Sequence, residues 1–174
     1  RFKAAVPFSG EGAELEEAYF TRYGILPNTN VTLGKFRQQF GVVNRWHKHA
    51  LDWIDFPLGL RAVLGPGGLC QVGLSLESGA STGPITHGVI VEVTDGDNPV
   101  AFDANGRNRP SILGRYTAYQ DLSSSTYLDI GVTGLLGWND EWTIADSSFS
   151  DPRRVLVYGA DVVLMWEPTD RMRY

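Results

Sequence analysis

The feature that most constrains the fold is a period of two in hydrophobicity, which dominates the chain after its first third. Val72, Leu74 and Leu76 alternate with polar or small residues, and this spacing predicts a β-strand with one buried face. Similar alternating or β-branched segments follow at residues 89–93, 126–132 and 154–166. About seven such short strands, with little helical periodicity between them, predict an all-β antiparallel sandwich or barrel.

Two of these segments contain possible breaks. Asp95-Gly96 is a turn signal between the β-branched run that begins at Val89 and the apolar residues that begin at Val100, so a hairpin is predicted there. Near the C-terminus, Gly159 interrupts a long apolar run. This predicts either two strands with a bend or one long kinked strand.

The N-terminal part follows a different pattern. Residues 10–23 carry apolar side chains at helical spacing, which predicts a short helix that ends before Pro27. Residues 31–40 fit a strand that runs into a helical turn. We therefore predict an arm with a short helix in residues 1–30 and a single β-domain in residues 31–174, with one or two short helices in all.

Composition limits the function classes. No apolar run approaches the roughly 20 residues that a membrane-spanning helix needs, so no membrane span is predicted. The net charge of -5 weighs against a dedicated nucleic-acid binder, because phosphate neutralisation needs clustered cations. One stretch is nevertheless basic and is a candidate RNA-facing or interior patch, with an ordinary solvated surface as the alternative. Its members are Arg22, Lys35, Arg37, Arg45 and Lys48.

The sequence carries no recognisable catalytic motif. Cys70 is the sole cysteine, so neither an intrachain disulfide nor a thiolate cluster can form within one chain. Its apolar neighbours predict a small buried side chain rather than a nucleophile. There is no Gly-x-Ser-x-Gly elbow, His-Glu-x-x-His helix, phosphate-binding loop or dinucleotide fingerprint. We expect a protein that is not an enzyme and that has no catalytic residue.

Metal ligation has two candidate locations. His47 and His49 could place two imidazoles on one face of a strand, but Lys48 would repel a cation and no third ligand is specified. The turns at residues 95–98 and 103–106 offer oxygen ligands that suit calcium, yet both lack the bidentate Glu of an EF-hand loop. Turn chemistry explains them. The sequence therefore predicts neither a metal nor another cofactor.

Carbohydrate chemistry is a further alternative. Asp140, Glu141 and Asp146 lie near Trp138 and Trp142 in the sequence, as in a glycosidase cleft or in a lectin site where indoles stack on sugar rings. A solvated loop is the simpler interpretation. A carbohydrate-binding β-sandwich stays open as an alternative, as does a phage tail or decoration protein of similar composition.

Two stretches together resemble the capsid proteins of picorna-like RNA viruses, of the dicistrovirus or marine picorna-like type. The run VTLGKFRQQF at residues 31–40 is similar to the segment that, in those proteins, leads into a basic and aromatic patch. The run VLVYGADVVLMW at residues 155–166 resembles their last main strand. It has a hydrophobic stretch, a glycine with an acidic residue close behind, and a second stretch that leads to Pro168.

The resemblance implies a fold and a function. The fold would be an eight-stranded antiparallel jelly-roll sandwich, and the function would be that of a structural subunit of a non-enveloped icosahedral capsid. The implied partners are other capsid protein chains, in a homo- and hetero-oligomeric shell, and genomic RNA. The implied location is the virion, assembled in the host cytoplasm. Release from a polyprotein would also suit the missing initiator Met.

Overall fold

The computed structural model describes residues 1–6, 8–9, 12–13, 15–46, 51, 55–102, 109–139, 142–144 and 147–167. Within these ranges the chain forms twelve strands, one α-helix and one turn of 3₁₀ helix at Val43–Arg45. In chain order the elements are β1 (Phe2–Ala5), β2 (Phe8–Ser9), β3 (Gly12–Ala13), β4 (Glu17–Leu26), β5 (Thr29–Arg37), α1 (Leu58–Leu64), β6 (Cys70–Thr82), β7 (Ile85–Thr94), β8 (Ser111–Ser123), β9 (Thr126–Asn139), β10 (Trp142–Ile144), β11 (Ser147–Phe149) and β12 (Arg153–Trp166).

Eight strands form one antiparallel sheet in the order β1-β4-β5-β6-β7-β8-β9-β12. The predicted class, all-β and antiparallel with eight main strands, is therefore confirmed. Within that class, each strand from β4 to β9 pairs with the next long strand along the chain, which makes the sheet a meander. A jelly roll instead connects its strands through Greek keys. The main strands thus neighbour one another in chain order, rather than in the Greek-key order that the resemblance implies.

Connections differ in length between the two ends of the sheet. At one end, which we call the short-turn end, two-residue turns join β4 to β5, β6 to β7, and β8 to β9. Asn28 and Gly83 adopt positive φ in two of these turns, as tight hairpins require. At the other end, which we call the long-loop end, the strands are joined through residues 38–69, 95–110 and 140–152.

The helix predicted within residues 10–23 is wrong for its second half, which belongs to strand β4. Alternate side chains of β4 face opposite sides, and β5 pairs along it. This tertiary pairing outweighs a short helical pattern. The predicted boundary between residues 30 and 31 falls inside β5, so the sheet includes residues assigned to the arm.

Two further predictions concern turns. The hairpin at Asp95-Gly96 does not form, because β7 pairs with β8 instead. Residues 95–102 instead lie beside α1, where the Asn98 side chain donates to the Leu64 and Gly68 carbonyls. At Gly159, the alternative of one long strand is confirmed, since β12 pairs with β9 without interruption.

A small apolar core lies at the long-loop end, where α1 covers one side of the sheet. Its buried members are Leu64, Leu69, Ala101, Phe102, Leu113 and Leu135. Helix α1 follows Pro57 and ends at Gly65, which adopts a positive φ. It is seven residues long, and no helix in the described part of the chain is long and apolar enough to cross a membrane.

Candidate functional site: the two faces of the sheet

Burial in this sheet is inverted with respect to polarity. In β6, Val72, Leu74 and Leu76 are exposed, whereas Gln71 and Ser75 on the opposite face are buried. The same inversion continues across the neighbouring strands. Their exposed residues include Val89, Val91, Val93, Ile112, Tyr116, Ile130, Val132, Leu156, Tyr158, Val162 and Leu164. We call the side that carries these residues the apolar face, and the opposite side the polar face.

The apolar face is free of formal charge over most of its area. In β6, β7, β8 and β9, and in β12 beyond Leu156, no Asp, Glu, Lys or Arg occupies a position on this side of the described strands. Two polar groups that do occur there pair with each other, since His87 Nδ1 lies 2.6 Å from Tyr116 Oη. Trp138 lies at the long-loop end of this face and Trp166 at the short-turn end.

The polar face holds a buried ion pair. Arg115 donates from Nη1 and Nη2 to the two Asp161 carboxylate oxygens, at 2.6 and 2.8 Å. Its Nη1 also donates to Thr133 Oγ1 at 2.9 Å. Gly131 leaves room for this arrangement, because a Cβ there would lie 2.3 Å from Arg115 Nη2. Strands β8, β9 and β12 are thus fixed together by a bidentate, charge-assisted contact.

A second charged group lies near the N-terminal strands. Arg37 is buried and donates from Nη2 to Glu16 Oε1 and from Nη1 to the Gly67 carbonyl. Glu17 accepts from Lys3 Nζ at 2.6 Å and from the Arg37 backbone at 3.2 Å. Arg37 and Glu17 therefore each meet an opposite charge.

Glu92 stands in β7 on the polar face and is buried. Its Oε2 accepts from the Gln39 backbone N–H and its Oε1 from Ser75 Oγ, both at 3.2 Å. Burial raises the pKa of Glu92 to about 7, against the opposing effects of these two hydrogen bonds and of the Arg45 charge. The carboxyl group therefore changes charge near neutral pH.

Gln39 belongs to a segment, residues 38–46, that lies across the polar face; we call it the inner segment. Asn44 anchors it, because its side chain donates to the Gln38 and Leu69 carbonyls and accepts from the Leu69 N–H. Phe40 packs against Gly159 of β12, where an added Cβ would lie 3.2 Å from its ring. The segment thus reaches from the end of β5 to β12.

Three cavities of about 180, 480 and 300 Å³ lie along the polar face. The first two share Gln39, Arg45 and Glu77 as lining residues, and the second and third share Glu77, Thr117 and Asp129. Together they form a polar groove beside the inner segment. The groove carries both signs of charge, which suits water and small hydrophilic solutes rather than an apolar ligand.

The residues of the basic patch do not share one side of the sheet. Arg22 and Lys35 lie on the apolar-face side of the N-terminal strands, where Lys35 Nζ donates to the Leu15 carbonyl. Arg37 is buried at the end of β5, opposite Cys70 in the pairing with β6, and Arg45 is exposed on the inner segment. Lys48 lies outside the described residues.

The structure describes only some of the other candidate metal and carbohydrate ligands. Asp97 donates its backbone N–H to Asp95 Oδ1 at 3.3 Å, which is turn geometry. The described ranges contain no group of three or more His, Cys, Asp or Glu side chains suited to a metal ion. Several candidates lie outside those ranges, namely His47, His49, Asp140, Glu141, Asp146 and residues 103–106.

Cys70 is half-buried, and its Sγ donates to the Glu16 carbonyl at 3.2 Å. Burial raises the pKa of the thiol, although the charges of Arg37 and Lys35 oppose this effect. The group is therefore a neutral thiol at pH 7, which is unsuited to nucleophilic attack.

Sequence reasoning missed Glu92, Arg115 and Asp161. A signal was present, because each of the three is a lone charged residue inside a β-run of uncharged residues. Their partners could not be predicted, since Arg115 and Asp161 are 46 positions apart and meet only through the register of three strands.

Comparison with known proteins adds one relative. An uncharacterized protein of Aquifex aeolicus (strain VF5) is 33% identical over 105 residues, which are 59% of this chain and 22% of that relative's length. The chain thus spans about a fifth of the curated relative that it matches. No protein-family model and no solved structure matches.

Proposed function

We propose that this protein is a membrane-embedded β-sheet whose apolar face contacts lipid acyl chains and whose polar face lines an aqueous passage for small hydrophilic solutes. The observation that carries the proposal is the inverted burial of the two faces. A Val or Leu side chain left in water forfeits about 1.5–3 kcal/mol of burial free energy. Monomers rarely expose apolar patches above a few hundred Å². Strands in a bilayer have this polarity, with apolar side chains toward lipid and polar ones inward.

The dimensions of the sheet support the same conclusion. A tilted strand needs about 9–11 residues to cross the hydrocarbon core. Strands β6 to β9 and β12 have 10–14 residues. Trp138 and Trp166 lie near opposite ends of the apolar face, where indoles favour the membrane interface. Short turns at one end and long connections at the other are also typical of membrane-spanning antiparallel sheets.

The polar face supports an aqueous interior. Its buried arginine, Arg115, is held in an ion pair with Asp161, and ionisable groups inside a membrane face water or one another. Backbone groups within lipid must also be hydrogen-bonded. The proposal therefore requires that, in the membrane, the outer edges of β1 and β12 each pair with a further strand.

A charge placed on one face or the other tests the proposal. An arginine on the lipid side near the bilayer centre costs about 2–4 kcal/mol. We therefore expect Val132→Arg to lower the fraction of protein that inserts into lipid vesicles about a hundredfold. The matched control Thr117→Arg places the same charge in the groove and should insert like the wild type. Flotation with vesicles after an alkaline wash measures insertion. Wild-type protein that stays in the aqueous fraction, or equal insertion of Val132→Arg, would contradict the proposal.

A capsid subunit, the function implied by the resemblance, stays a prediction. The exposed apolar face favours it in one respect, because packing against sister subunits would also remove these side chains from water. Electron microscopy of native particles separates the two functions. Closed protein shells without lipid would support a capsid subunit and contradict the membrane proposal. Membrane patches that contain the protein would exclude a capsid subunit.

A further inference from the structure

The polar groove contains a cavity with opposite charges on its walls. The volume of this cavity, about 480 Å³, lies within the usual range of small-molecule sites. Arg45 lines it from the inner segment, at the end of the 3₁₀ turn that Asn44 anchors. Asp129 lines it from strand β9 of the sheet. A solute in this cavity therefore meets both a cation and a carboxylate.

Neither charge is committed to another side chain in the part of the chain that the structure describes. Arg45 is exposed there, without a hydrogen bond or an ion pair. It acts electrostatically on Glu92, whose carboxyl group accepts its hydrogen bonds from Ser75 and Gln39 instead. Asp129 is half-buried, and its Oδ1 is buried without a hydrogen-bond donor among the described residues. Because a buried polar atom without a partner is costly, a solute that supplies a donor stabilises this arrangement.

The remaining lining suits a small organic molecule. Val42, Trp46 and Ile90 contribute apolar surface to the same cavity. Arg115 also lines it, but its guanidinium is already bound to the Asp161 carboxylate. The described walls thus combine a guanidinium, a carboxylate and an apolar surface between which a carbon skeleton can lie.

We infer that this cavity binds a zwitterionic solute, with Arg45 on its carboxylate and Asp129 on its ammonium group. The inference rests on the proposed function and names the class of hydrophilic solute that the groove selects. A guanidinium donates two parallel N–H groups to a carboxylate, and an ammonium group donates to carboxylate oxygens. Amino acids and short peptides carry both groups. A solute with only one of them leaves the charge on the other wall without a partner.

Three peptides with different terminal charges test the inference. Alanyl-alanine carries both charges, its N-acetyl derivative only the carboxylate, and its C-terminal amide only the ammonium group. Isothermal titration calorimetry measures their binding to the protein in detergent micelles. We expect alanyl-alanine to bind about tenfold more tightly than either derivative, because each derivative lacks one charge-assisted contact. Equal binding of the three peptides, or no binding of alanyl-alanine, would overturn the inference.

Substitutions assign each charge of the peptide to one side chain. Arg45→Gln should weaken the binding of alanyl-alanine about tenfold and leave that of the amide unchanged, because the amide lacks the carboxylate. Asp129→Asn should weaken alanyl-alanine to a similar extent and leave the acetylated peptide unchanged, because this peptide lacks the ammonium group. Equal weakening of all three peptides in either variant would contradict the assignment.

Two matched controls remove an exposed charge of the same sign outside the cavity. Arg22→Gln and Asp121→Asn should both bind alanyl-alanine like the wild type. Glu77 lines the cavity as well but is exposed, so water screens its charge more strongly than that of Asp129. We therefore expect a smaller effect from Glu77→Gln than from Asp129→Asn. The reverse order would contradict the role of Asp129.

The inference and the proposed function can fail separately, because binding in micelles requires no passage across a membrane. Wild-type protein that inserts into vesicles but does not bind alanyl-alanine would overturn the inference and leave the membrane proposal standing. Protein that binds alanyl-alanine with the expected charge dependence but stays out of vesicles would support the site and contradict the membrane proposal.

Discussion

Val132 and Thr133 are adjacent in β9, yet their surroundings are opposite. Val132 is half-exposed on the apolar face, whereas Thr133 is buried on the polar face and accepts a hydrogen bond from Arg115. An ordinary two-layer sheet buries the apolar side and leaves the polar side in water. Here the polar side packs against α1 and the inner segment, whereas the apolar side of β6 to β12 stays largely exposed among the described residues. We propose that lipid covers this exposed side.

Loss of a charge partner on the polar face should strongly destabilise the protein. Arg115→Met leaves the Asp161 carboxylate, 19% exposed, without its cation. We expect a loss of about 4 kcal/mol in the free energy of unfolding, because an unpaired buried charge is strongly destabilising. Urea titration of the protein in detergent micelles measures it.

The control for that variant is its neighbour on the other face. Tyr116→Phe removes the hydroxyl that pairs with His87, at an exposed position. Its effect should stay below about 1 kcal/mol. Equal losses of unfolding free energy in Arg115→Met and Tyr116→Phe would contradict the difference in burial between the two faces.

A second comparison uses two leucines of one strand. Leu135 is fully buried in the core beneath α1, whereas the adjacent Leu136 faces the opposite side and is half-exposed. Leu135→Ala should cost about 3 kcal/mol of unfolding free energy, and Leu136→Ala less than about 1 kcal/mol. Thermal unfolding in the same micelles gives both values. A larger loss of unfolding free energy in Leu136→Ala than in Leu135→Ala would contradict the location of the packed core on the side of Leu135.

The charge of Glu92 should make the free energy of unfolding depend on pH. Its folded pKa of about 7 lies above the usual 4.5, so the folded protein binds this proton more tightly than the unfolded chain. The stabilisation that this proton contributes is therefore fully present below about pH 4.5, and we expect it to fall by about 2 kcal/mol between pH 5 and pH 7. Unfolding free energies at a series of pH values measure this slope.

Two variants show whether Glu92 causes that slope. Glu92→Gln should flatten it, because the amide does not titrate. Glu77→Gln, at an exposed carboxylate that lines the same groove, should leave it unchanged. A slope that persists in Glu92→Gln would assign the pH dependence to other groups.

Sequence reasoning could predict the strands but not the environment of their faces. The period of two around Val72 and Val91 fixes which side chains share a face, and it holds in β6 and β7. Periodicity does not say whether a face meets water, protein or lipid. The short segment that became β4 was misread because pairing with β5 is a long-range effect. Glu92 within a β-branched run was the available sign that the polar side is enclosed.

A nitroxide scan along β9, from Leu128 to Leu135, tests most directly whether the apolar face contacts lipid. The scan uses a Cys70→Ser background, with the protein in lipid vesicles. Molecular oxygen concentrates in the bilayer, and a nickel chelate stays in water, so their relative collision rates report the environment of each label. We expect an alternation of period two, with Leu128, Ile130 and Val132 more accessible to oxygen than to nickel because they face lipid. Equal or greater access of nickel at these three positions would contradict it.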